Sequence, residues 1–332
     1  MSLFFQNAFF HIPLLQLYQT EFCIDLMRVF KNILLVLSTG YIFVFFSEHV
    51  FWARIRPDDS FGNWVSTWLA YSLMAFVFLH LVTYFRVANR WALFLTGAAF
   101  GWLAEGIVVQ TTYESLPFSI SFTGLAWHAL ITVWIGWYAL RQRLSDPASL
   151  PTLKLAATIG AGYGLWAICW WLEPDGGVAT LSEFSVFVLT TSTLVIIAFW
   201  LANWSASEPF TPNRWVTGMI YSLFILYFIF IAVPAVPVAI LILPVLFALV
   251  YFGLRKNKQI EQHDSLLVTL TNRASPLNYL SLFAMPLTAI AVYAAALTLN
   301  LHWQTNWVLY LITTPLGFIL FIMSLVKIWR TP

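Results

Sequence analysis

Apolar residues along this chain fall into long blocks separated by short polar breaks, and the blocks show little alternation of period two or amphipathic striping of period 3.6. A bilayer-spanning helix needs about 20 mostly apolar residues. Segments of that kind lie at 32–53, 64–85, 91–112, 118–139, 153–172, 182–203, 216–233, 238–254, 278–299 and 307–328. The seventh and eighth could be read as one block through "FIFIAVPAVPVAILILP", but that block is far too long for a single span. Pro234 and Pro237 remove backbone donors and stiffen a tight turn, so the pattern predicts a hairpin there. The expectation is an all-α polytopic membrane protein of about ten transmembrane helices.

Residues 1–26 break this regularity. "MSLFFQNAFFHIPLLQLYQTEF" is rich in Phe and Leu but is interrupted by Gln6, Asn7, His11, Pro13 and Gln16. It has neither the basic start nor the small-residue cleavage site of a secretory signal. It is expected to lie on the membrane as an interfacial segment, with a short re-entrant helix as the alternative. Residues 27–332 then form a single transmembrane domain, since no loop is long enough to fold separately.

Charge supplies the direction. Numbered through ten spans, all but two of the 16 Lys and Arg residues fall on the side of the N-terminus; the exceptions are Arg54 and Arg56. A miscounted span would mix the two sides. The positive-inside rule therefore predicts a multi-pass protein of the cell membrane with both termini cytoplasmic. Composition agrees: the chain is 61% apolar, 18% aromatic and only 9% charged, so lipid must solvate most of it. No basic run with interleaved stacking residues points to nucleic acid. The expected partners are the lipid bilayer, a lipophilic small molecule and another membrane protein or a second copy of the chain.

Against this apolar background, ionisable residues inside spans stand out, because hydrocarbon tolerates them only when protein or water shields them. Glu105 lies in the third span about 10 Å from its outer end at 1.5 Å per residue, and His128 lies near the middle of the fourth. Gly97, Gly101 and Glu105 recur every four residues, as do Gly124, His128, Thr132 and Gly136; Ser121 extends the second row. Each row makes one helix face that admits close approach. The turn between the spans is short, so the two faces are predicted to meet. Glu105 and His128 are then candidates for an acid–base pair in an outward-opening polar pocket between spans 1, 3 and 4.

Glu48, His49, Arg54, Arg56 and Glu114 cluster at the same outer side and are candidates for holding the polar end of a substrate. Arg54 and Arg56 could bind an anionic group, or pair with Asp58 and Asp59. No metal-ligand spacing, phosphate loop, HExxH or Ser–His–acid arrangement can be read from the sequence, and no cofactor is implied. The glycines of "GAGYG" at 160–164 read as a packing face.

Glu105 inside a span, followed after the turn by Leu116-Pro117-Phe118, resembles a short stretch of membrane carotenoid hydratases and cyclases. The tyrosines and glycines expected after the Pro-Phe pair are replaced here by "SISFTG" at 119–124, and the resemblance assigns no family. Three classes of function follow from the sequence: an intramembrane enzyme acting on a lipid or isoprenoid-type substrate, a small-solute transporter using Glu105 for coupling, and a non-catalytic subunit of a membrane complex.

Overall fold

The computed structural model describes residues 11–331 other than 174–175, 208, 262 and 271–273; for residues 11–24 and Thr269 only the backbone course is described. All regular structure among the described residues is helical. Helix α1 (His11–Val44) continues through π-helical Phe45–His49 to Trp52. Then come α2 (Phe61–Tyr84), α3 (Arg90–Trp102, extended by π-helical Leu103–Val108) and α4 (π-helical Ile120–Ala139, running into Leu140–Leu144). Next are α5 (Ser149–Ala167, closed by a 3-10 turn Ile168–Trp171), α6 (Leu181–Ser205) and α7 (Arg214–Tyr227, with π-helical Phe228–Ala232 after it). The last three are α8 (Ala239–Ile260), α9 (Pro276–Ser281 with Ala284–Thr298) and α10 (Thr305–Arg330).

Nine of these helices, among the described residues, are long and apolar enough to cross a membrane. The tenth expected span, α5, falls short in apolarity because Lys154 and the glycines at 160, 162 and 164 dilute it. It nevertheless runs the depth of the bundle. At its start, the turn carbonyls of Leu144 and Asp146 accept from Asn278 Nδ2, both at 2.8 Å. At its far end, Trp166 and Trp170 donate their indole N–H groups to Phe51 O at 2.6 and 2.8 Å. Phe51 sits beside the end of α1, where Ala53 turns the chain with a left-handed φ of 54°. The close approach of α5 to α9 needs Gly164, where a Cβ would stand 2.6 Å from Ala289 O.

Such bonds define two faces of the bundle. One carries Lys31 with Ser207, Asn32 with Thr211, Asn89 with Asn257, and Asn278 with the α4–α5 turn. The other carries Phe51 with Trp170, Tyr293 with Ala179, and Asn306 with Glu173. The chain alternates between them, so the start of the first span and the end of α10 lie on the same face. Near its N-terminus the backbone of α1 is already helical from His11; residues 1–10 of the expected interfacial segment lie outside the described residues.

Burial ranks the helices. The apolar stretch of α3 is 83% buried inside the protein and that of α4 67%, whereas α7 is 17% and α8 28% buried. The ionisable third and fourth spans are thus central, and the α7–α8 hairpin forms the rim. There, lipid-facing Leu, Ile and Phe require no partner, since acyl chains are as apolar as they are.

Candidate functional site

The site is built where α1, α3 and α4 meet. Gly101 of α3 lies against the backbone of Gly124, and a Cβ at Gly101 would also stand 2.9 Å from His128 Cβ. This glycine-on-glycine contact lets α3 and α4 approach backbone to backbone. Both helices then widen into π turns: Val109 N–H donates to Ala104 O, five residues back, at 2.9 Å. A π turn re-aims the side chains it carries and recurs at functional positions. Ser47, Glu48 and His49, Glu105, and His128 all sit on π-helical segments.

After α3 the chain folds back on itself. Gln110 takes a left-handed φ of 68°, and its side-chain amide donates to the carbonyls of Ile107 and Val108 at 2.9 and 3.1 Å, satisfying the helix end. Tyr113 Oη donates to Gly106 O at 2.8 Å and ties the turn down. Thr111 is thereby carried over Glu105.

The resulting network runs through the buried centre. His128 Nε2 bonds Glu105 Oε1 at 2.7 Å. Glu105 Oε2 accepts from Thr111 Oγ1. On the other ring nitrogen, Ser47 Oγ lies 3.0 Å from His128 Nδ1 and 3.0 Å from Thr132 Oγ1. His128 is 2% exposed and Ser47 4%, while the Glu105 carboxylate keeps 14% of its surface. Every polar atom of the pair is therefore occupied, and Glu105 is the member open to approach. Thr132 Oγ1 donates its one proton to Trp127 O at 3.2 Å, so the hydroxyls line up as a relay in which Ser47 donates to Thr132 and accepts from His128 Nδ1–H.

A second carboxylate lies alongside. Tyr71 Oη donates to Glu48 Oε1 at 2.6 Å and Trp52 Nε1 donates to Glu48 Oε2 at 3.1 Å. Tyr71 thereby ties this carboxylate of α1 to α2.

The remaining sequence candidates separate into two groups. Glu48, His49, Arg54 and Arg56 line one small cavity, but it opens between α1, α2 and α6, with Trp64, Thr67 and Phe187 in its wall, and not between spans 1, 3 and 4. Its volume is about 30 Å³, room for about one or two waters. His49 is packed in tilted and edge-on contacts among Tyr41, Trp64 and Phe187, with ring centroids 5.3 to 5.9 Å away, on a different side of α1 from Glu105. Among the described residues no three His, Cys, Asp or Glu side chains come together to hold a metal. Glu114 is exposed on the α3–α4 turn, outside both groups.

Arg56 is engaged by Asp59: its Nη2 and Nε lie 2.9 and 3.2 Å from Oδ1, and its backbone N–H donates to Oδ2 at 2.9 Å. Its guanidinium also covers the Trp52 ring at 4.7 Å, while Arg54 lies over Trp170 at 5.4 Å. Burial alone would raise the Asp59 carboxyl, but the hydrogen bonds from Arg56 outweigh it and hold the group below its ordinary value. The stabilisation from this loop is therefore full above the ordinary aspartate range and is lost as pH falls through the depressed value. Thermal unfolding between about pH 6 and pH 3 should show a shallower acid limb in Asp59→Asn than in the wild type; identical limbs would refute the assignment.

A larger cavity of about 370 Å³ lies between α2, α3, α7 and α8 and is almost wholly apolar. Leu103 and Ile107 form part of its wall, but the carboxylate of Glu105 between them faces α4. His80, near this cavity, makes a helix–helix bond to Tyr221 Oη at 3.0 Å.

Sequence reasoning paired Glu105 with His128 and placed Thr132 on the same face. It missed Ser47, Tyr71 and Thr111, and so the Ser47–His128–Glu105 order of hydrogen bonds that the fold assembles. The only sequence signal for Ser47 was its place beside Glu48.

Fold and site together make the chain an α-helical integral membrane protein with a buried carboxylate–imidazole–hydroxyl network. The chain matches no family model, no curated protein and no solved structure.

Proposed function

We propose that the protein is an intramembrane enzyme in which Glu105 and His128 move a proton to or from a lipophilic substrate. The observation that carries this reading is the 2.7 Å contact between the two groups with a hydroxyl fixing each free end, Ser47 on Nδ1 and Thr111 on Oε2. A base whose partner atoms are all held is oriented before substrate arrives, which is where much of the benefit of a positioned acid–base group comes from. A proton can pass between His128 Nε2 and Glu105 Oε1 without either group turning. Glu105, the least enclosed of the three, would meet the substrate. Arg54, Arg56, Glu48 and His49 form the outer polar patch beside which the substrate's polar end would lie, and Glu114 stands at the outer rim.

The face rich in Lys and Arg is assigned to the cytoplasm by the positive-inside rule, which puts both termini there and opens the Glu48 cavity outward. A proton-coupled transporter is the second reading, favoured by one observation: Ser47, which bonds His128, and Glu48, which bonds Tyr71, are adjacent on one π turn, so polar side chains continue from the pair to Glu48.

Two measurements decide. Lipid extracts of membranes producing wild type or Glu105→Gln are compared by mass spectrometry. In parallel, both proteins are reconstituted into vesicles containing a pH-sensitive dye. A lipid that changes only with wild type supports the enzyme. Wild-type proton flux that Glu105→Gln abolishes supports the transporter. No difference in either assay overturns both.

A further inference from the structure

The basic face of the bundle holds a charge that the network above does not use. Arg141, near the end of α4, is fully buried. Its Nε donates to Asn203 Oδ1 at 3.0 Å, and its guanidinium lies over the Trp137 ring at 4.9 Å. Both of its Nη atoms are buried without a hydrogen-bond partner, as is Asn278 Oδ1 close by. Among the described residues no carboxylate pairs with Arg141; its neighbour Asp146 is taken by Arg143 at 3.0 Å. An uncompensated buried cation is expensive, and an anion nearby would offset much of that penalty.

A cavity that could receive the anion adjoins it. Between α6 and α9, opening at this same face, lies a space of about 780 Å³. Its wall is graded with depth. Ile196, Trp200 and Phe283 line the deeper part; Asn203, Ser207 and Tyr279 line the part nearest the face. Ile196 and Asn203 are seven positions apart on one helix, about 10 Å along its axis. That spacing matches a molecule with an apolar body and a polar end.

The polar end would meet donors. Asn203 Nδ2 donates to Tyr279 Oη at 2.9 Å, so the tyrosine keeps its own proton for a ligand of the cavity it lines. Lys31 Nζ lies 3.0 Å from Ser207 Oγ and 5.7 Å from the centre of the Trp204 ring. Asn203 and Tyr279 stand between the cavity and Arg141, so the guanidinium acts through them and through its field. Trp200 and Trp204 are half exposed on the outer flank, the placement of indoles at a membrane interface.

We propose that this cavity binds an anionic phospholipid from the surrounding leaflet, with its phosphate at Tyr279 and Lys31 and its acyl chains along Ile196, Trp200 and Phe283. Basic pockets between helices on the cytoplasmic side suit such head groups. The proposal is independent of the chemistry assigned to Glu105 and His128.

The test uses the full-length protein purified in a neutral detergent. Native mass spectrometry and thermal unfolding are run with added phosphatidylglycerol, phosphatidylcholine or inorganic phosphate. Phosphatidylglycerol is expected to be retained about tenfold more strongly than phosphatidylcholine and to raise the unfolding temperature. Tyr279→Phe with Lys31→Gln should erase that preference; Lys31→Gln alone, which keeps the Asn203–Tyr279 bond, should weaken it with the lipid-free unfolding temperature nearly unchanged. Because Arg141→Gln could fail to fold, it is used only as a supporting variant. Equal retention of the two lipids, or an unchanged preference in the Tyr279→Phe, Lys31→Gln protein, would overturn the proposal. So would protection by inorganic phosphate alone equal to that by phosphatidylglycerol, which would mark a free-anion site.

Discussion

Gly101→Ala is expected to lower stability by about 2–3 kcal/mol. The added Cβ would enter the space of the Gly124 carbonyl and come within 2.9 Å of His128 Cβ. A flexible side chain could move aside, but a helix backbone cannot move without separating α3 from α4. The same separation would pull Glu105 away from His128, so the variant should lose the 2.7 Å contact together with stability. Gly162→Ala is the control, because nothing lies within 4 Å of a Cβ there; its effect should stay within about 0.5 kcal/mol of wild type. Denaturant titration in mixed micelles measures both. Equal effects would show that the glycine contact does not hold the pair together.

This contact also shows what the chain order reveals. Gly97, Gly101 and Glu105 on one helix, and Gly124, His128 and Thr132 on the next, share a period of four residues. With a short turn between the helices, the two faces can only meet each other. Membrane-length blocks are similarly legible because the bilayer sets one length for all of them. The weakest block, α5, is a helix whose depth is fixed by Trp166 and Trp170 bonding to Phe51, and no hydropathy sum could see that. Ser47 and Tyr71 were illegible for a related reason. Their partners lie 81 and 23 positions away in the chain, and hydroxyls are too common in membrane helices to stand out. The place of the small cavity was missed because His49, on the π turn Phe45–His49, faces α2 and α6 together with Glu48, among Trp64 and Phe187. Spacing rules drawn for a regular α-helix do not reach across such a turn.

The second large effect concerns the pair itself. Glu105→Leu would strand His128 Nε2 and the Thr111 hydroxyl, and His128→Leu would strand a carboxylate oxygen of Glu105. Removing one partner of a buried charged pair typically costs about 3–5 kcal/mol, most of it the penalty for the group left behind. The double variant leaves neither group behind, so its loss should fall short of the sum of the two singles by about 2 kcal/mol. Additive losses would mean that the two side chains do not interact in the folded protein, and the acid–base reading would go with them. A large coupling alone would equally suit a pair that only fixes the packing of α3 on α4. The conservative variant Glu105→Gln separates the cases, because an amide keeps the shape and an acceptor for His128 but cannot carry the proton. If the pair handles a proton, Glu105→Gln should retain most of the stability and lose the activity; if it only packs helices, stability and activity should be kept together.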